Sequence, residues 1–197
     1  ENQYAQLQKL SHLVSEWNER INLISRKDCN PATVFGRHVL PSLACCALSN
    51  HEKKNYNPFE TAKRAIDVGT GGGFPGLPLA IAYPDCDFVL LDSVGKKLTV
   101  VQEMAHELGL DNVQIHHGRA EESFRNSSNK TTDDVLFDVA TGRSVSSIPQ
   151  FCAWMQHLLR RAPLAIGNGK NDKDKNTTSG GHWFYWIGRD ISEVKNM

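Results

Sequence analysis

The chain has 197 residues, with 22 Lys and Arg side chains, 22 Asp and Glu side chains and a formal net charge of zero. Its length fits one domain, or one domain with an extension. A neutral chain does not hold nucleic acid through its overall charge, so any RNA or DNA site has to be a local basic patch. No apolar run approaches the ~20 residues of a membrane helix, and the start is polar, so we predict neither a membrane partner nor a secretion signal.

Cysteine and histidine spacing gives no sign of a metal site. There are five cysteines and eight histidines, with no CxxC pair and no HExxH-type spacing, so we predict that no metal is bound. An odd number of cysteines without such a pair is typical of buried or incidental thiols in a reducing compartment. The cysteines are Cys29, Cys45, Cys46, Cys86 and Cys152.

Residues 1–50 are predicted to form a helical extension. Apolar side chains recur there at steps of three and four, which predicts an amphipathic helix; they are Tyr4, Leu7, Leu10, Val14, Trp17 and Ile21. Asn30 followed by Pro31 has the form of a helix cap and first turn. We predict that this second helix ends near Leu40, because Pro41 interrupts it. The polar stretch 50–63 is predicted to be a linker.

From residue 64 onward, predicted strands and helices alternate. Strands are predicted at 65–68, 87–91, 113–117, 136–141 and 182–187, and helices at 75–82, 96–108 and 146–161. Such alternation is typical of an α/β domain with a mostly parallel, doubly wound sheet and helices on both faces. We assign 64–197 to this domain. Within it, the stretch 168–181 has no apolar residue and is predicted to be a long loop or disordered insert.

A glycine-rich loop follows the first predicted strand and precedes a helix. It runs from Asp67 to Gly76 and contains five glycines, more than an ordinary strand-to-helix turn requires. The GxGxxG string within it is typical of dinucleotide sites. However, Asp67 disfavours a pyrophosphate and favours a ligand with a cationic end, such as S-adenosylmethionine. Asp92, at the end of the second strand, is placed to accept the ribose hydroxyls of either ligand.

Several segments, in order along the chain, resemble one family. They are Trp17-Asn18 with Ile21-Asn22-Leu23, His38 to Leu43, Asp67 to Ala80, Leu90 to Ser93 with Lys96-Lys97, Glu107 to Leu110, Gly118 to Glu121, and Gly142-Arg143. Together they resemble the bacterial-type small-subunit (16S) ribosomal RNA guanine-N7 methyltransferases, known as the RsmG or GidB family. The resemblance implies a Rossmann-like class I S-adenosylmethionine-dependent methyltransferase domain with an N-terminal helical extension.

The resemblance also implies site residues. Those expected to bind the cofactor are Gly69, Gly71, Phe74, Asp92, Ala120, Glu121 and Arg143. Arg143 is in addition the candidate catalytic residue that orients the target base, with a surface arginine at a strand end as the alternative. Small-subunit ribosomal RNA is the expected partner, and a local basic patch would contact it; the candidates are Arg26, Lys27, Arg37, His38, Lys96, Lys97 and Arg119. The alternatives are solvated surface charges and, for His38, helix packing.

Some positions depart from the family pattern. Pro41 stands where the family usually has Asp, Lys97 where it has Arg, and Gly142 to Ser144 where it has Ser-Arg-Ala. The region after Arg161 hardly matches, and we expect the domain to lack the family's last strand pair. These departures leave open a non-catalytic relative that binds the cofactor or RNA. An NAD-dependent oxidoreductase on a similar fold is a second alternative. We expect a monomer, located in the cytoplasm or, if its source is eukaryotic, in a plastid.

Overall fold

The computed structural model describes residues 2–47, 57–124, 136–159 and 182–186. The N-terminal part contains α1 (Gln3–Asn18), α2 (Pro31–Val34), a π-helical turn (Phe35–Val39), α3 (Leu40–Ser42) and short 3-10 turns at Arg26–Asp28, Ala44–Ala47 and Pro58–Glu60. The α/β part contains β1 (Arg64–Val68), α4 (Gly76–Ala82), β2 (Asp87–Asp92), α5 (Gly95–Glu107), β3 (Val113–His117), β4 (Val139–Arg143), α6 (Ile148–Leu158) and β5 (His182–Trp186). In these described ranges, no helix is long and apolar enough to cross a membrane.

The five strands form one parallel sheet in the order β3-β2-β1-β4-β5. In the centre of the sheet, Ile66 of β1 lies between Val89 of β2 and Ala140 of β4. From β1 the chain builds the sheet outward to β3, and then returns to the other side of β1 to form β4. The carboxyl ends of the strands at such a reversal form a crevice in which α/β proteins bind ligands. The prediction of a parallel α/β sheet is confirmed.

Alternate residues of the strands enter two separate cores, one on each face of the sheet. Ala65, Phe88 and Leu90 belong to one core, and Ile66 and Val89 belong to the other, because successive side chains of a strand point to opposite faces. The first core also contains apolar side chains of α1, α4 and α5, and the second contains those of α6. The N-terminal helices therefore share a core with the sheet.

The first helix ends earlier than the apolar spacing predicts. We predicted a helix that includes Ile21, whereas α1 ends at Asn18. The Asn18 side chain is buried, and its oxygen accepts the N–H groups of Leu23 at 2.8 Å and Ile24 at 3.0 Å. Such local bonds from an Asn side chain to the backbone compete with helix formation. Ile21 still packs against the core, so the apolar spacing continues after the backbone has left the helix.

The second predicted helix begins as expected, with the Asn30 side chain as its cap, but it does not stop at Pro41. The prediction of an interruption there was wrong, because a π-helical turn comes immediately before it and the Leu40 N–H donates to the Phe35 carbonyl. In a regular α-helix the proline ring clashes with the carbonyl four residues earlier. A wider turn changes the position of that carbonyl, so the helical path continues to Ser42.

The fourth strand begins and ends later in the sequence than predicted. The predicted strand covers 136–141, and the observed β4 covers Val139–Arg143. The Asp138 carboxylate, just before the strand, accepts the N–H groups of Lys63 at 2.8 Å and Arg64 at 3.0 Å. This shift makes Arg143 the last residue of the strand, at the carboxyl edge of the sheet.

Part of the predicted linker at 50–63 belongs to the core. Phe59 is only 2% exposed, and its ring stacks on Tyr83 at 5.1 Å and on Phe88 at 6.1 Å between centroids. Because the neighbours of Phe59 in the sequence are polar, a prediction from composition assigns this residue to a linker and not to the core. Residues 50–56 of the predicted linker and the predicted loop 168–181 lie outside the described residues.

Candidate cofactor-binding site

The glycine loop leaves β1 in a backbone conformation that glycine adopts most easily. Gly69 has a φ of +70° and Gly71 a φ of +57°, both in the left-handed region. The N–H groups of Gly69 and Thr70 donate to the Leu91 carbonyl at 2.8 and 3.0 Å, which holds the loop against the end of β2. A Cβ added to Gly69 would lie 2.2 Å from Cγ2 of Val145. Both the backbone and the neighbouring side chain therefore require glycine at position 69.

Asp92 accepts a backbone hydrogen bond with each carboxylate oxygen, and one of these bonds connects the glycine loop to the end of β2. Oδ2 accepts the N–H of Gly71 at 2.8 Å, and Oδ1 accepts the N–H of Val94 at 2.8 Å. Each oxygen retains a further lone pair, and Asp92 also lines the cleft next to the loop. A contact from Asp92 to ribose hydroxyls is therefore compatible with the bonds that it already makes.

The cleft has a volume of about 310 Å³ and opens at the carboxyl ends of β1, β2 and β4. Six of the seven predicted cofactor residues line it; they are Gly69, Gly71, Asp92, Ala120, Glu121 and Arg143. A larger cavity of about 770 Å³ lies at the amino ends of β2 and β3, and none of the predicted residues lines it. The cleft at the strand ends is therefore the candidate site. Among the described residues, no three His, Cys, Asp or Glu side chains are grouped to hold a metal ion.

Phe74, the seventh predicted cofactor residue, is buried and does not line the cleft. Its side chain is 1% exposed. The guanidinium of Arg143 lies over its ring, with Cζ 5.2 Å from the centroid, and the ring of His38 lies 5.4 Å away. A guanidinium over an aromatic face is attracted by the ring's negative electrostatic potential. Phe74 therefore supports Arg143 from below, and its position does not support a direct contact with the cofactor.

His38 packs inside the protein, as the alternative interpretation of this residue proposed. Its ring lies against Phe74, and both ring nitrogens are shielded from solvent. This placement does not support the predicted RNA contact. Instead, it joins the N-terminal helices to the residue that supports Arg143.

Asp67 and Arg143 lie under the glycine loop and influence each other's ionisation through their opposite charges. Asp67 is fully buried, its Oδ2 accepts the Gly76 N–H at 3.0 Å, and its Oδ1 accepts the Thr141 hydroxyl at 2.9 Å. Burial raises the pKa of Asp67 to about 6, although these bonds and the charge of Arg143 oppose the rise. Burial lowers the pKa of Arg143, and the Asp67 charge opposes that change. Asp67 is therefore enclosed below the loop, whereas the sequence favoured a direct role toward a cationic ligand.

The predicted RNA-binding residues of the α/β part lie at and beside the cleft. Lys97 and Arg119 line it, and Lys96 is exposed on α5. Arg119 is 66% exposed and pairs with Glu121 at 3.8 Å. An exposed pair of this kind contributes little stability, so Arg119 remains available to another anion.

The predicted RNA-binding residues of the extension form a second group. Arg26, Lys27 and Arg37 are all exposed to solvent. The extension reaches the glycine loop through Leu23, since a Cβ added to Gly72 would lie 3.0 Å from the Leu23 Cβ. Arg26 and Lys27 therefore lie only a few residues after Leu23, which contacts the glycine loop.

Trp154 lines the cleft although the sequence did not single it out as a site residue. It lies on α6, whose Phe151 and Met155 side chains are buried. Its indole Nε1 is shielded from solvent and makes no hydrogen bond with any residue that the structure describes. Since a buried indole N–H usually has a partner, an acceptor on a ligand in the cleft would satisfy it. The apolar pattern of α6 predicts a core helix and does not reveal which position faces the cleft.

Comparison with known proteins identifies relatives over most of the chain. Residues 3–177 match the sequence model of the GidB family, described as rRNA small subunit methyltransferase G. A "Ribosomal RNA small subunit methyltransferase G" from Chlorobium limicola is 38% identical over 160 residues, which are 81% of this chain and 64% of that protein. The protein of the same name from Cytophaga hutchinsonii is 40% identical over 153 residues, 78% of this chain and 64% of that protein. The chain thus spans slightly less than two thirds of the length of these relatives.

A solved structure shows the same fold. The O-methyltransferase TomG from Streptomyces achromogenes, in complex with SAM, superposes with a TM-score of 0.51 and 20% sequence identity, over 80% of this chain and 61% of that one. The fold is therefore the Rossmann-like α/β fold of class I methyltransferases. With the family match over residues 3–177 and relatives at 38–40% identity, the resemblance inferred from the sequence is confirmed, and the chain belongs to the GidB family, rRNA small subunit methyltransferase G.

Proposed function

We propose that this chain is the cofactor-binding and catalytic part of an S-adenosylmethionine-dependent methyltransferase that acts on guanine N7 in small-subunit (16S) ribosomal RNA. The observation that carries the proposal is the cleft in which Gly69, Asp92 and Arg143 come together, in a chain of the GidB family. The relatives named as ribosomal RNA small subunit methyltransferases support this RNA as the substrate.

The residues of the cleft fit S-adenosylmethionine. The lack of a side chain at Gly69 and Gly71 lets a ligand approach the loop backbone closely. Asp92 would accept the ribose hydroxyls, while Ala120 and Glu121 would border the adenine. The shielded Nε1 of Trp154 supplies a hydrogen-bond donor that has no partner among the described residues. The volume of about 310 Å³ is also within the range of small-molecule sites.

Methyl transfer to guanine N7 requires the protein to position the reactants more than to act as an acid or a base. When bound, S-adenosylmethionine supplies a methyl group that its sulfonium makes electrophilic. Guanine N7 carries a lone pair in the neutral base, so the protein has no proton to remove before attack. Its task is to align the base and to exclude water. Arg143 is the residue proposed to orient the base. Its guanidinium lies over the Phe74 ring, and the nearby charge of Asp67 favours its protonated form.

The same proposal assigns the other parts of the chain. Residues 1–50 are the helical extension and 64–197 the methyltransferase domain. The exposed basic residues of the extension and of the cleft rim would contact ribosomal RNA through its phosphates. The protein would act as a monomer, in the cytoplasm or in a plastid, where small-subunit RNA is assembled.

Gly69→Ala is expected to abolish S-adenosylmethionine binding measured by isothermal titration calorimetry. The new methyl group meets Val145, itself part of the cleft wall, and the left-handed backbone adds roughly 1–2 kcal/mol of strain. Gly109→Ala is the matched control, because Gly109 has a φ of +67° but nothing within 4 Å of an added Cβ. We expect this control to bind like the wild type.

This titration, together with a labelled-methyl assay on small-subunit RNA, distinguishes the three functions. Binding that is equal in wild type and Gly69→Ala would show that the cleft is not the cofactor site. Binding of NAD but not of S-adenosylmethionine would favour the oxidoreductase alternative. S-adenosylmethionine binding without transfer of a labelled methyl group to small-subunit RNA would favour a non-catalytic relative.

Trp154→Phe is expected to weaken S-adenosylmethionine binding roughly three- to tenfold, the effect of losing one neutral hydrogen bond. Phenylalanine keeps most of the aromatic surface and removes only the indole N–H, so α6 should fold normally. In the wild type, binding should change tryptophan emission, and that change should be much smaller in the variant. Trp17→Phe, on α1, is the control and should leave both affinity and the emission change intact. Unaltered affinity in Trp154→Phe would exclude a hydrogen bond from Trp154 to the cofactor.

A further inference from the structure

The loop that follows β4 forms one wall of the cofactor cleft. Arg143, Ser144 and Val145 follow one another along the chain, and all three line the cleft. Val145 lies against the glycine loop, since its Cγ2 would be 2.2 Å from a Cβ added to Gly69. The conformation of this loop therefore affects both the direction of Arg143 and the space that Gly69 leaves for a ligand.

Ser144 has a backbone conformation that few residues with a side chain adopt. Its φ of +51° lies in the left-handed region, where a Cβ comes too close to the neighbouring carbonyl oxygen. Strained backbone of this kind is maintained only where the surrounding structure holds it, and it is often found at functional sites. The loop therefore depends on contacts from other elements to keep this conformation.

The hydroxyl of Tyr185, on β5, binds the backbone of this loop from the neighbouring strand. Its oxygen accepts the Ser146 N–H at 3.1 Å, and its O–H donates to the Ser146 carbonyl. One side chain thus pairs with both backbone polar groups of a residue 39 positions earlier in the chain. Because Ser146 is half-buried, its N–H and carbonyl need such partners.

The ring of Tyr185 is itself fixed by packing between β4, β5 and α6. Tyr185 pairs with Gly142 in the sheet, and its ring lies 4.7 Å from that of Phe151 between centroids. Phe151 is fully buried on α6. A Cβ added to Gly142 would lie 2.4 Å from Cε2 of Phe151, so the glycine leaves room for the Phe151 ring beside Tyr185. This packing directs the Tyr185 hydroxyl toward the loop.

We propose that Tyr185 is a positioning residue of the methyltransferase site. Its hydroxyl holds the loop after β4 in the conformation that places Val145 against Gly69 and Arg143 at the cleft. This inference rests on the proposed function, since it concerns the same cleft. Tyr185 does not line the cleft, so it acts through the loop and does not touch the cofactor. Without the hydroxyl, the loop is free to relax away from the strained conformation of Ser144.

Tyr185→Phe tests the proposal, because it keeps the ring and removes only the hydroxyl. We expect S-adenosylmethionine binding, measured by isothermal titration calorimetry, to weaken roughly tenfold. At saturating S-adenosylmethionine, kcat for methyl transfer to small-subunit RNA should fall by a similar factor. The KM for RNA should change less than about twofold, because the exposed basic residues that would contact RNA phosphates are unaltered. In hydrogen exchange, the Ser146 amide should lose protection.

Tyr83→Phe is the matched control for a general loss of stability. Tyr83 is half-buried like Tyr185, its hydroxyl accepts a hydrogen bond from the Asn57 amide at 2.5 Å, and its ring stacks on Phe59. It does not line the cleft. Both variants should unfold at a somewhat lower temperature, followed by circular dichroism, but Tyr83→Phe should keep the wild-type Kd and kcat.

Ser144→Gly, added to Tyr185→Phe, tests whether the hydroxyl acts by holding the strained loop. Glycine adopts a positive φ without strain, so the double variant should recover most of the lost affinity; binding no better than that of Tyr185→Phe would contradict this role. A folded Tyr185→Phe with the wild-type Kd and kcat overturns the proposal, as does an equal loss of affinity in Tyr83→Phe. A wild type that does not bind S-adenosylmethionine would instead contradict the proposed function itself, and the exchange rate of the Ser146 amide then decides whether Tyr185 holds the loop.

Discussion

Arg143→Ala is expected to lower kcat/KM for methyl transfer to small-subunit ribosomal RNA roughly 100-fold, about 2.7 kcal/mol of transition-state stabilisation. Arg143 ends β4 and lines the cleft, and its guanidinium is fixed over the ring of Phe74. Its removal takes away a preorganised charge and also the positive charge that favours the ionised form of the buried Asp67. The measurement is a labelled-methyl assay at saturating S-adenosylmethionine, with kcat and KM determined separately.

Arg143→Lys is the matched variant for this experiment. Lysine keeps the charge but lacks the planar group that stacks on Phe74, so we expect an intermediate loss of roughly tenfold in kcat/KM. If Arg143→Ala folds normally and retains the wild-type kcat/KM, Arg143 is a structural arginine at a strand end, and its proposed role is wrong. A loss confined to the KM for RNA would instead indicate a simple binding contact.

Asp67→Asn is expected to change how the stability of the protein depends on pH. The pKa of Asp67 in the folded state is about 6, above its value of ~3.9 in an unfolded chain. Between these values the folded state binds more protons than the unfolded state, so the free energy of unfolding falls as pH rises. The asparagine variant lacks this titration. Relative to the wild type, it should gain about 2 kcal/mol between pH 4 and pH 7.

Urea unfolding of both proteins at several pH values measures this difference. Comparison with the variant cancels the titration of the other carboxyl groups, which both proteins share. Thr141→Val provides a second check, because the Thr141 hydroxyl donates to Asp67 Oδ1 at 2.9 Å and its loss should raise the pKa of Asp67 further. Parallel stability curves for wild type and Asp67→Asn from pH 4 to pH 7 would show that Asp67 titrates normally in the folded state.

The elements of the α/β part follow from local patterns. Short apolar runs alternate with helical spacing, and this alternation predicted the parallel sheet because each strand has to be connected by a helix that covers a face. The predicted second and third strands differ from β2 and β3 by no more than one residue. Two of the errors concern the ends of the N-terminal helices. Asn18 ends α1 by bonding the following N–H groups, and a π-helical turn carries the chain past Pro41.

The part of the candidate site that could be predicted from the sequence consists of residues in the turns that follow strands. Gly69, Gly71 and Asp92 are all close to strand ends, and the carboxyl ends of parallel strands meet at one edge of the sheet. Their convergence on one cleft follows from topology alone. Family resemblance added Ala120, Glu121 and Arg143, which also line the cleft and which no local pattern identifies.

By itself, the sequence determined the fold class, the glycine loop and the acid that follows the next strand, because these depend on periodicity and on the backbone freedom of glycine. Only the tertiary structure decided that Phe74 and Asp67 lie beneath the cleft as supports for Arg143, and that Trp154 faces it from α6. The physical reason is that burial and direction depend on packing between elements distant in the chain. Local sequence patterns do not specify which side of a loop or helix such packing leaves open to a ligand.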